Sequence, residues 1–253
     1  MYAEERLQLI LGRARADGRV DVAALAAELD VTPETVRRDL NALERQGLVR
    51  RVHGGAIPVE RLGFEPALGT RSEVLTNEKE RIAKAALAEL PSEGAVLLDA
   101  GTTTARIADL MPSDKELTIV TNSVPIALTL SVRPNLQVLV TGGRVRSRTL
   151  AGVGDWAVSA LSGIRVDVAF LGANGISPEH GLTTPDQAES AVKRAMIACA
   201  RPTIVVADHT KMGVDFFAKF GNLADVDTII TDDGVDEEYT AELEAAGPTV
   251  VRA

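Results

Sequence analysis

Residues 95–121 read AVLLDAGTTTARIADLMPSDKELTIVT. Ala95 to Asp99 is a short run that is almost wholly apolar, a glycine and three threonines follow it, Thr103 to Met111 has helical spacing, and Leu117 to Thr121 is a second apolar run. Strands apolar on both faces must be covered on both faces, and strand, helix, strand in that order is the crossover unit of a parallel sheet. The alternation continues outward. Upstream, Asn77 is placed to cap a helix running to about Leu90, with Glu80 set for a capping box and Ile82, Ala83, Ala86, Leu87 and Leu90 facing inward. Downstream come a helix from Val124 to Leu130, LQVLVT (136–141), VAFLGA (168–173), a helix from Gln187 to Ala200, TIVVAD (203–208) and DTIITD (227–232). The expected fold is an α/β domain, a parallel sheet with helices on both faces.

In such sheets ligands bind beyond the carboxyl ends of the strands. Here those ends carry Asp99, Gly101, Thr102, Thr103 and Thr104; then Thr121, Asn122 and Ser123; then Thr141, Gly142 and Gly143 followed by Arg144, Arg146 and Arg148; then Gly172 to Gly175; then Asp208, His209, Thr210 and Lys211. Glycine lets a backbone approach closely, hydroxyls and helix N–H groups receive an anion, and amides and hydroxyls pair with sugar hydroxyls. A ligand with a phosphate and several hydroxyls suits this set, whereas a flat apolar one lacks aromatic walls, since aromatic residues are 3% of the chain. Each piece also has a plain structural reading: Gly101 and its threonines turn the chain and cap a helix, Gly142 and Gly143 make a turn, the three arginines form a solvated loop, and Asp208 with Lys211 forms a surface ion pair.

The opening of the chain has a different grammar. Two short helices, Glu4 to Ala16 and Val22 to Leu29, lead through Asp30 and Val31 into VTPETVRRDLNALERQGLVRRVHGGA (31–56). Thr32 can cap, Pro33 suits the first helical position, and Glu34 lies where the helix dipole favours negative charge. In that frame Val36, Leu40 and Leu43 form the buried stripe, which turns Thr32, Thr35, Arg37, Arg38, Asn41 and Arg45 outward. Val49 to Val52 reads as a wing strand that offers Arg50, Arg51 and His53 to a nucleic-acid backbone or minor groove. This is a helix-turn-helix followed by a wing, and its arginines can fork onto guanine or clamp phosphate. Alone, the arginines would be a solvated helix face; cap, stripe, arginine pair and basic wing together point to double-stranded DNA.

Charge follows the same division. Residues 1–57 hold nine arginines and nine acids, so the remaining 27 acids and 18 bases carry the whole net charge of -9. Arg45 to Ile57 has three arginines and no acid, a local positive strip in an acidic chain. Organisation is therefore read as residues 1–57 for the winged helix-turn-helix, 58–76 for a linker with Gly63, Pro66 and Gly69 among charges, and 77–253 for the α/β domain. No apolar run approaches the ~18 residues of a membrane span. The acidic, amphipathic start MYAEERLQLI is unlike a signal peptide, and with Cys199 the only cysteine no internal disulfide can form, which suits a reducing cytoplasm. No His or Cys spacing suggests a metal, and no cofactor is expected.

The stretch ETVRRDLNALERQGLVRRVHGGA (34–56) resembles the N-terminal domain of DeoR-family transcriptional regulators, of the DeoR and GlpR type. LLDAGTTTARIADL, IVTNS, TGG, VDVAFLGANGI, GLTTPD and ADHTKMG resemble the effector domain of the same family, so the likeness covers nearly the whole chain. It implies a sugar-phosphate-binding domain related to ribose-5-phosphate isomerase in fold, and a repressor released from its operator by a phosphorylated sugar. Carried onto this sequence, the effector residues are Asp99, Gly101, Thr102, Thr103, Thr104, Asn122, Gly142, Gly143 and Lys211, with Arg144 added from the strand-end reading. MYAEER and KMG are similar to actinobacterial regulators of fructose and other phosphotransferase-system sugars, which favours a fructose phosphate. A homo-oligomer, dimer or tetramer, is expected, because two reading helices match two half-sites. The rival is a sugar-phosphate isomerase or deaminase using Asp99, Asp186, Glu189, Asp208 and Lys211 as acids, bases and electrostatic support, although such an enzyme has no need of a DNA-reading head.

Overall fold

The helix Pro33–Arg45 buries Val36, Leu40 and Leu43 against the rest of its unit, the stripe expected from its periodicity. The computed structural model describes residues 3–45, 48–58, 65 and 67–253, and the chain divides into two units, Met1–Pro66 and Ala67–Ala253. In the first unit α1 (Ala3–Asp17), β1 (Val20–Asp21), α2 (Val22–Glu28), α3 (Pro33–Arg45), β2 (Val49–Val52) and β3 (Gly55–Pro58) follow in order, and the three strands form one antiparallel sheet, β1-β3-β2. Ile10, Leu11, Leu25, Leu40, Leu43 and Val49 make its core.

Local chemistry sets the angles of this unit. Asp21 caps α2 by accepting from Ala23 N (2.8 Å) and Ala24 N (3.0 Å), and Thr32 caps α3 by accepting from Thr35 N at 3.2 Å. Between them Asp30 takes φ 50°, a left-handed turn that aspartate tolerates better than most residues. Arg6 grips Asp39 in a buried two-point ion pair (2.5 and 3.1 Å), which ties α1 to α3. Thr32→Ala removes the α3 cap and is expected to cost about 1 kcal/mol; urea unfolding followed by far-UV circular dichroism reads this as a lower midpoint at unchanged slope.

The second unit contains α4 (Leu68–Glu73), α5 (Thr76–Leu87), β4 (Glu93–Leu98), α6 (Thr102–Asp109), β5 (Glu116–Thr121), α7 (Val124–Ser131), β6 (Leu136–Val140), β7 (Arg144–Arg146), β8 (Ala151–Val153), α8 (Asp155–Ser162), β9 (Val168–Leu171), β10 (Gly175–Ser177), β11 (Gly181–Thr184), α9 (Gln187–Cys199), β12 (Thr203–Val206), β13 (Ala218–Gly221), β14 (Thr228–Thr231), α10 (Glu237–Ala245) and β15 (Thr249–Arg252). Seven strands form a parallel sheet in the order β15-β14-β12-β9-β4-β5-β6. Alternate residues feed two cores: Leu97, Ala169, Leu171 and Val205 pack on one face with Val192 and Met196, while Val96, Leu98, Phe170 and Ile204 pack on the other with Ile82, Ile107 and Ile126. From β4 the chain runs outward through β5 and β6, then returns to the other side of β4 to begin β9. Strand order reverses between β4 and β9, and the place beyond their carboxyl ends is where open α/β sheets form their ligand crevice.

Three features differ from the sequence reading. Asn77 does not cap: α5 begins at Thr76 after Leu75 in a left-handed turn (φ 53°), Lys79 N already donates to Leu75 O at 3.0 Å, no side chain caps the helix, and Glu80 pairs with Lys84 at 2.7 Å instead of closing a capping box. Within the expected linker, residues 68–73 form α4, a helix too short to show periodicity; 59–64 and 66 lie outside the described residues. The hairpin β7-β8, the small sheet β10-β11-β13 and the last strand β15 were not legible, because strands of three or four residues with distant partners leave little pattern.

Candidate functional site

On the first unit, Thr32, Arg37, Arg38 and Asn41 are exposed along one face of α3, with Thr35 half-buried beside them, and a shallow concavity runs past Thr32, Arg38, Asn41 and Arg45. The Thr32 and Thr35 hydroxyls bond each other at 3.0 Å, and Arg37 meets Glu34 one turn back at 3.0 Å, an exposed pair of little energetic weight. Among the described residues no hydrogen bond or ion pair engages Arg38. Arg51 is held within the unit instead. Its backbone N–H donates to Glu44 (2.8 Å), and its guanidinium donates to Gly55 O (3.1 Å) and to Asn41 Oδ1 (2.6 Å), which fastens the wing to α3. Arg50 is half-buried on β2, while His53 is exposed at the wing tip with its carbonyl taken by Arg19 at 2.7 Å. Arg37 and Arg38 are thus presented outward, and Arg51 and Asn41 set the angle between helix and wing.

In the second unit the crevice between β4 and β9 has a charged floor. Asp99, directly after β4, is 1% exposed; its Oδ2 accepts from Gly172 N at 3.1 Å, directly after β9, and from the Lys193 ammonium, which also donates to Gly172 O at 2.8 Å. Lys193 is buried on α9 and lies over the Phe220 ring at 5.2 Å. A buried ion pair, with Gly172 N on the carboxylate and Gly172 O on the ammonium, thus joins the two strand ends at the point where strand order reverses. Asn122, after β5, accepts from Ala100 N at 2.9 Å and donates to Gly152 O at 3.3 Å, holding the turn after Asp99. Thr104 donates to Asp99 O (2.7 Å) and Gly101 O (3.1 Å), so its hydroxyl turns toward the strand. No side chain caps α6 at Gly101, so the N–H groups of its first turn, which carry the positive end of the helix dipole, have no side-chain partner there.

Around this floor the other candidates separate. Lys211 lies in the short 3-10 turn His209–Lys211 after β12, next to Asp208, which is 1% exposed and bonded by Thr210 N at 3.1 Å and by the Thr210 hydroxyl. Burial pushes the Asp208 carboxyl up, but the charge of Lys211, the Thr210 hydroxyl and the charges of Lys79 and His209 outweigh it and hold it below the usual carboxylate range. Burial pulls the Lys79 ammonium down to about 8 against the charge of Asp208. Burial likewise pushes the Asp232 carboxyl up, and the bonds and charge of His209, whose Nδ1 lies at 2.7 Å, bring it below its ordinary value. Arg144 is exposed on β7. Gly143, at φ +94°, owes its lack of a side chain to the protein itself, since a Cβ would lie 2.6 Å from Val153 O; Gly142 (φ +74°) has open space around it.

Two plain readings from the sequence are corrected. Arg146 is no solvated loop residue: it binds Asp186 (3.0 Å) and Glu189 (3.3 Å) with its side chain 14% exposed. Asp208 and Lys211 are no surface pair, because Asp208 is buried. Lys193 was missed, although Glu189, Lys193 and Met196 fall at helical spacings of four and three, a buried stripe interrupted by two charges. That interruption was the available signal.

A winged helix-turn-helix preceding an α/β domain with a charged strand-end crevice defines a DNA-binding transcriptional regulator with a sensor domain. Residues 6–61 match the DeoR-like helix-turn-helix domain and residues 75–233 the DeoR C terminal sensor domain. The chain belongs to the DeoR family. It is 39% identical over 249 residues to the HTH-type transcriptional regulator GlpR of Haloferax volcanii (98% of this chain, 97% of that one). It is 36% identical to the uncharacterized HTH-type transcriptional regulator FruR of Bacillus subtilis (95% and 94%) and 33% identical to the glycerol-3-phosphate regulon repressor of Escherichia coli (92% and 92%). A solved D-ribose-5-phosphate isomerase in complex with phospho-erythronic acid aligns over 54% of each chain at 19% identity and a TM-score of 0.41, too slight a likeness to argue from.

Family membership makes this chain a transcriptional regulator and sets the enzyme reading aside. The carboxylates that reading needed have other work: Asp99 holds Lys193 and Gly172, Asp186 caps α9 through Ala188 N (2.9 Å) and Glu189 N (3.0 Å), and Glu189 takes the Thr149 hydroxyl at 2.5 Å. Among the described residues no helix is long and apolar enough to cross a membrane, and no group of three or more His, Cys, Asp or Glu could hold a metal ion.

Proposed function

We propose that this regulator is a cytoplasmic repressor of sugar-metabolism genes, acting as a dimer or tetramer, whose hold on its operator is relieved by a phosphorylated sugar, with a fructose phosphate favoured. Thr32, Thr35, Arg37 and Arg38 on α3 and Arg50 and His53 on the wing form the DNA contact, and Asn41 and Arg51, which the sequence also offered to DNA, set the wing against α3. Asp99, Gly101, Thr102, Thr103, Thr104, Asn122, Gly142, Gly143, Arg144 and Lys211, joined by Lys193, form the effector site. The observation that carries the reading is the crevice at the strand reversal: an uncapped helix N-terminus suited to phosphate stands beside a floor of carboxylate, ammonium and amide suited to hydroxyls. The glycerol-3-phosphate regulon repressor among the relatives, named for a small phosphate ester, supports an effector of that kind.

Fluorescence anisotropy of the upstream region of the protein's own gene, titrated with the protein at fixed salt, tests it. Fructose 1-phosphate, fructose 6-phosphate and sn-glycerol 3-phosphate are added in turn to the complex. One ester is expected to release the DNA while the unphosphorylated sugar does not. DNA binding that no ester alters overturns the effector assignment and leaves the reader intact.

A further inference from the structure

α4 is the first helix of the sensor unit, and both of its ends are held by groups that lead into the crevice. At its start the Leu68 N–H donates to Arg148 O at 3.1 Å. Arg148 lies in the loop after β7, and that loop is fixed by Arg146 and Thr149 on Glu189 of α9, one turn before Lys193 on the same helix. At its other end the Lys79 ammonium, 4% exposed on α5, donates to Arg71 O and to Val74 O (2.6 Å). Lys79 sits in the electrostatic field of Asp208, Lys211 and Arg106, charges of the strand-end region. With six residues and no side-chain cap, α4 cannot hold itself together, so these two attachments decide whether it is a helix.

We propose that α4 is an effector-controlled latch: a phosphate ester seated beside Lys211 and the first turn of α6 draws the Lys79 ammonium from the α4 carbonyls, and α4 frays. An anion is a stronger acceptor for an ammonium than a neutral carbonyl, and α5, which carries Lys79, packs directly against α6, whose first turn would receive the phosphate. The charges of Asp208 and Lys211 act on Lys79 as well. Because α4 directly follows the DNA-reading unit in the chain, its order is what the head inherits from the sensor. The inference rests on the effector reading above and adds the element that reports occupancy.

Hydrogen exchange with mass spectrometry on the full chain tests the latch, with calorimetry run in parallel using fructose 1-phosphate, fructose 6-phosphate and sn-glycerol 3-phosphate as probes. The ester that binds by calorimetry is expected to speed exchange across residues 69–75 about tenfold. Two variants open the latch from opposite ends. Lys79→Met removes the ammonium. Leu68→Pro deletes the N–H given to Arg148 without disturbing the backbone, since proline is accommodated at the first helical position and Ala67 (φ −58°, ψ 153°) already has the conformation that precedes proline; Leu68→Ala, which keeps the N–H, controls for the lost side chain. Both are expected to show the fast exchange without ester; Leu68→Pro, with its latch already open, is expected to bind the ester at least as tightly as the parent, and Lys79→Met, which lacks the ammonium the ester draws, more weakly. An ester that binds while exchange across 69–75 stays unchanged or slows overturns the latch and leaves the effector reading standing. No binding by any ester in the parent chain removes the effector reading and the latch with it.

Discussion

Arg38→Ala and Arg37→Ala are each expected to weaken operator binding about 10- to 100-fold per half-site while leaving effector affinity unchanged, the size of loss that follows from removing a bidentate guanine contact worth roughly 1–3 kcal/mol. The geometry separates them from the other basic residues of the head. Arg37 and Arg38 project from the exposed face of α3, whereas the Arg51 guanidinium is occupied by Gly55 O and Asn41 Oδ1 and fastens the wing. Anisotropy against operator and scrambled duplex at several salt concentrations tells the two kinds of contact apart. A base contact is lost on the operator alone, whereas a phosphate contact is lost on both duplexes and lowers the salt slope by about one. Operator affinity unchanged in both variants would remove α3 as the reading helix, and loss of ester binding in either would contradict two separate sites.

The second large effect is expected at the floor of the crevice. Lys193→Met leaves the Asp99 carboxylate buried without its cation, and breaking a buried pair from one side costs about 3–5 kcal/mol. Denaturant unfolding of the purified variant measures the loss. The double variant Asp99→Leu with Lys193→Met replaces both charges with apolar groups, and such replacements are commonly near neutral in stability, so most of the loss is expected to return. The response of the DNA complex to phosphate ester is not expected to return with it, because the charged floor is gone. A double variant that is stable and still released by ester would make the pair a strut between β4 and β9 and nothing more.

The burial of the Asp99–Lys193 pair also explains which parts of the molecule could be read from sequence. Periodicity and capping are local. Thr32, Pro33 and the stripe Val36, Leu40, Leu43 lie within twelve residues, so α3 and its outward arginines could be read directly, and the all-apolar runs at 96–98, 168–171 and 204–206 announced strands buried on both faces. The same locality misled at Asn77, where a good capping residue lost to the left-handed turn at Leu75 two residues earlier. It was silent at α4, β7, β8 and β15, which are too short to carry a period. Arg146 and Arg148 looked alike in sequence, yet Arg146 is sequestered by Asp186 and Glu189, partners 40 and 43 residues away.

From the sequence alone came the two-part architecture, the helix-turn-helix with the outward face of α3 and the list of strand ends, because each depends on residues a few positions apart along the chain. Only the tertiary structure decided which strand ends meet. The order β15-β14-β12-β9-β4-β5-β6 puts Asp99 beside Gly172 and lets Lys193, 94 residues further along, bridge them. Strand order is set by which faces and edges pack best across the whole domain, and an ion pair of that separation leaves no periodic trace. The physical reason is that helices are made by neighbours in sequence, while a site at the reversal of a parallel sheet is made by neighbours in space.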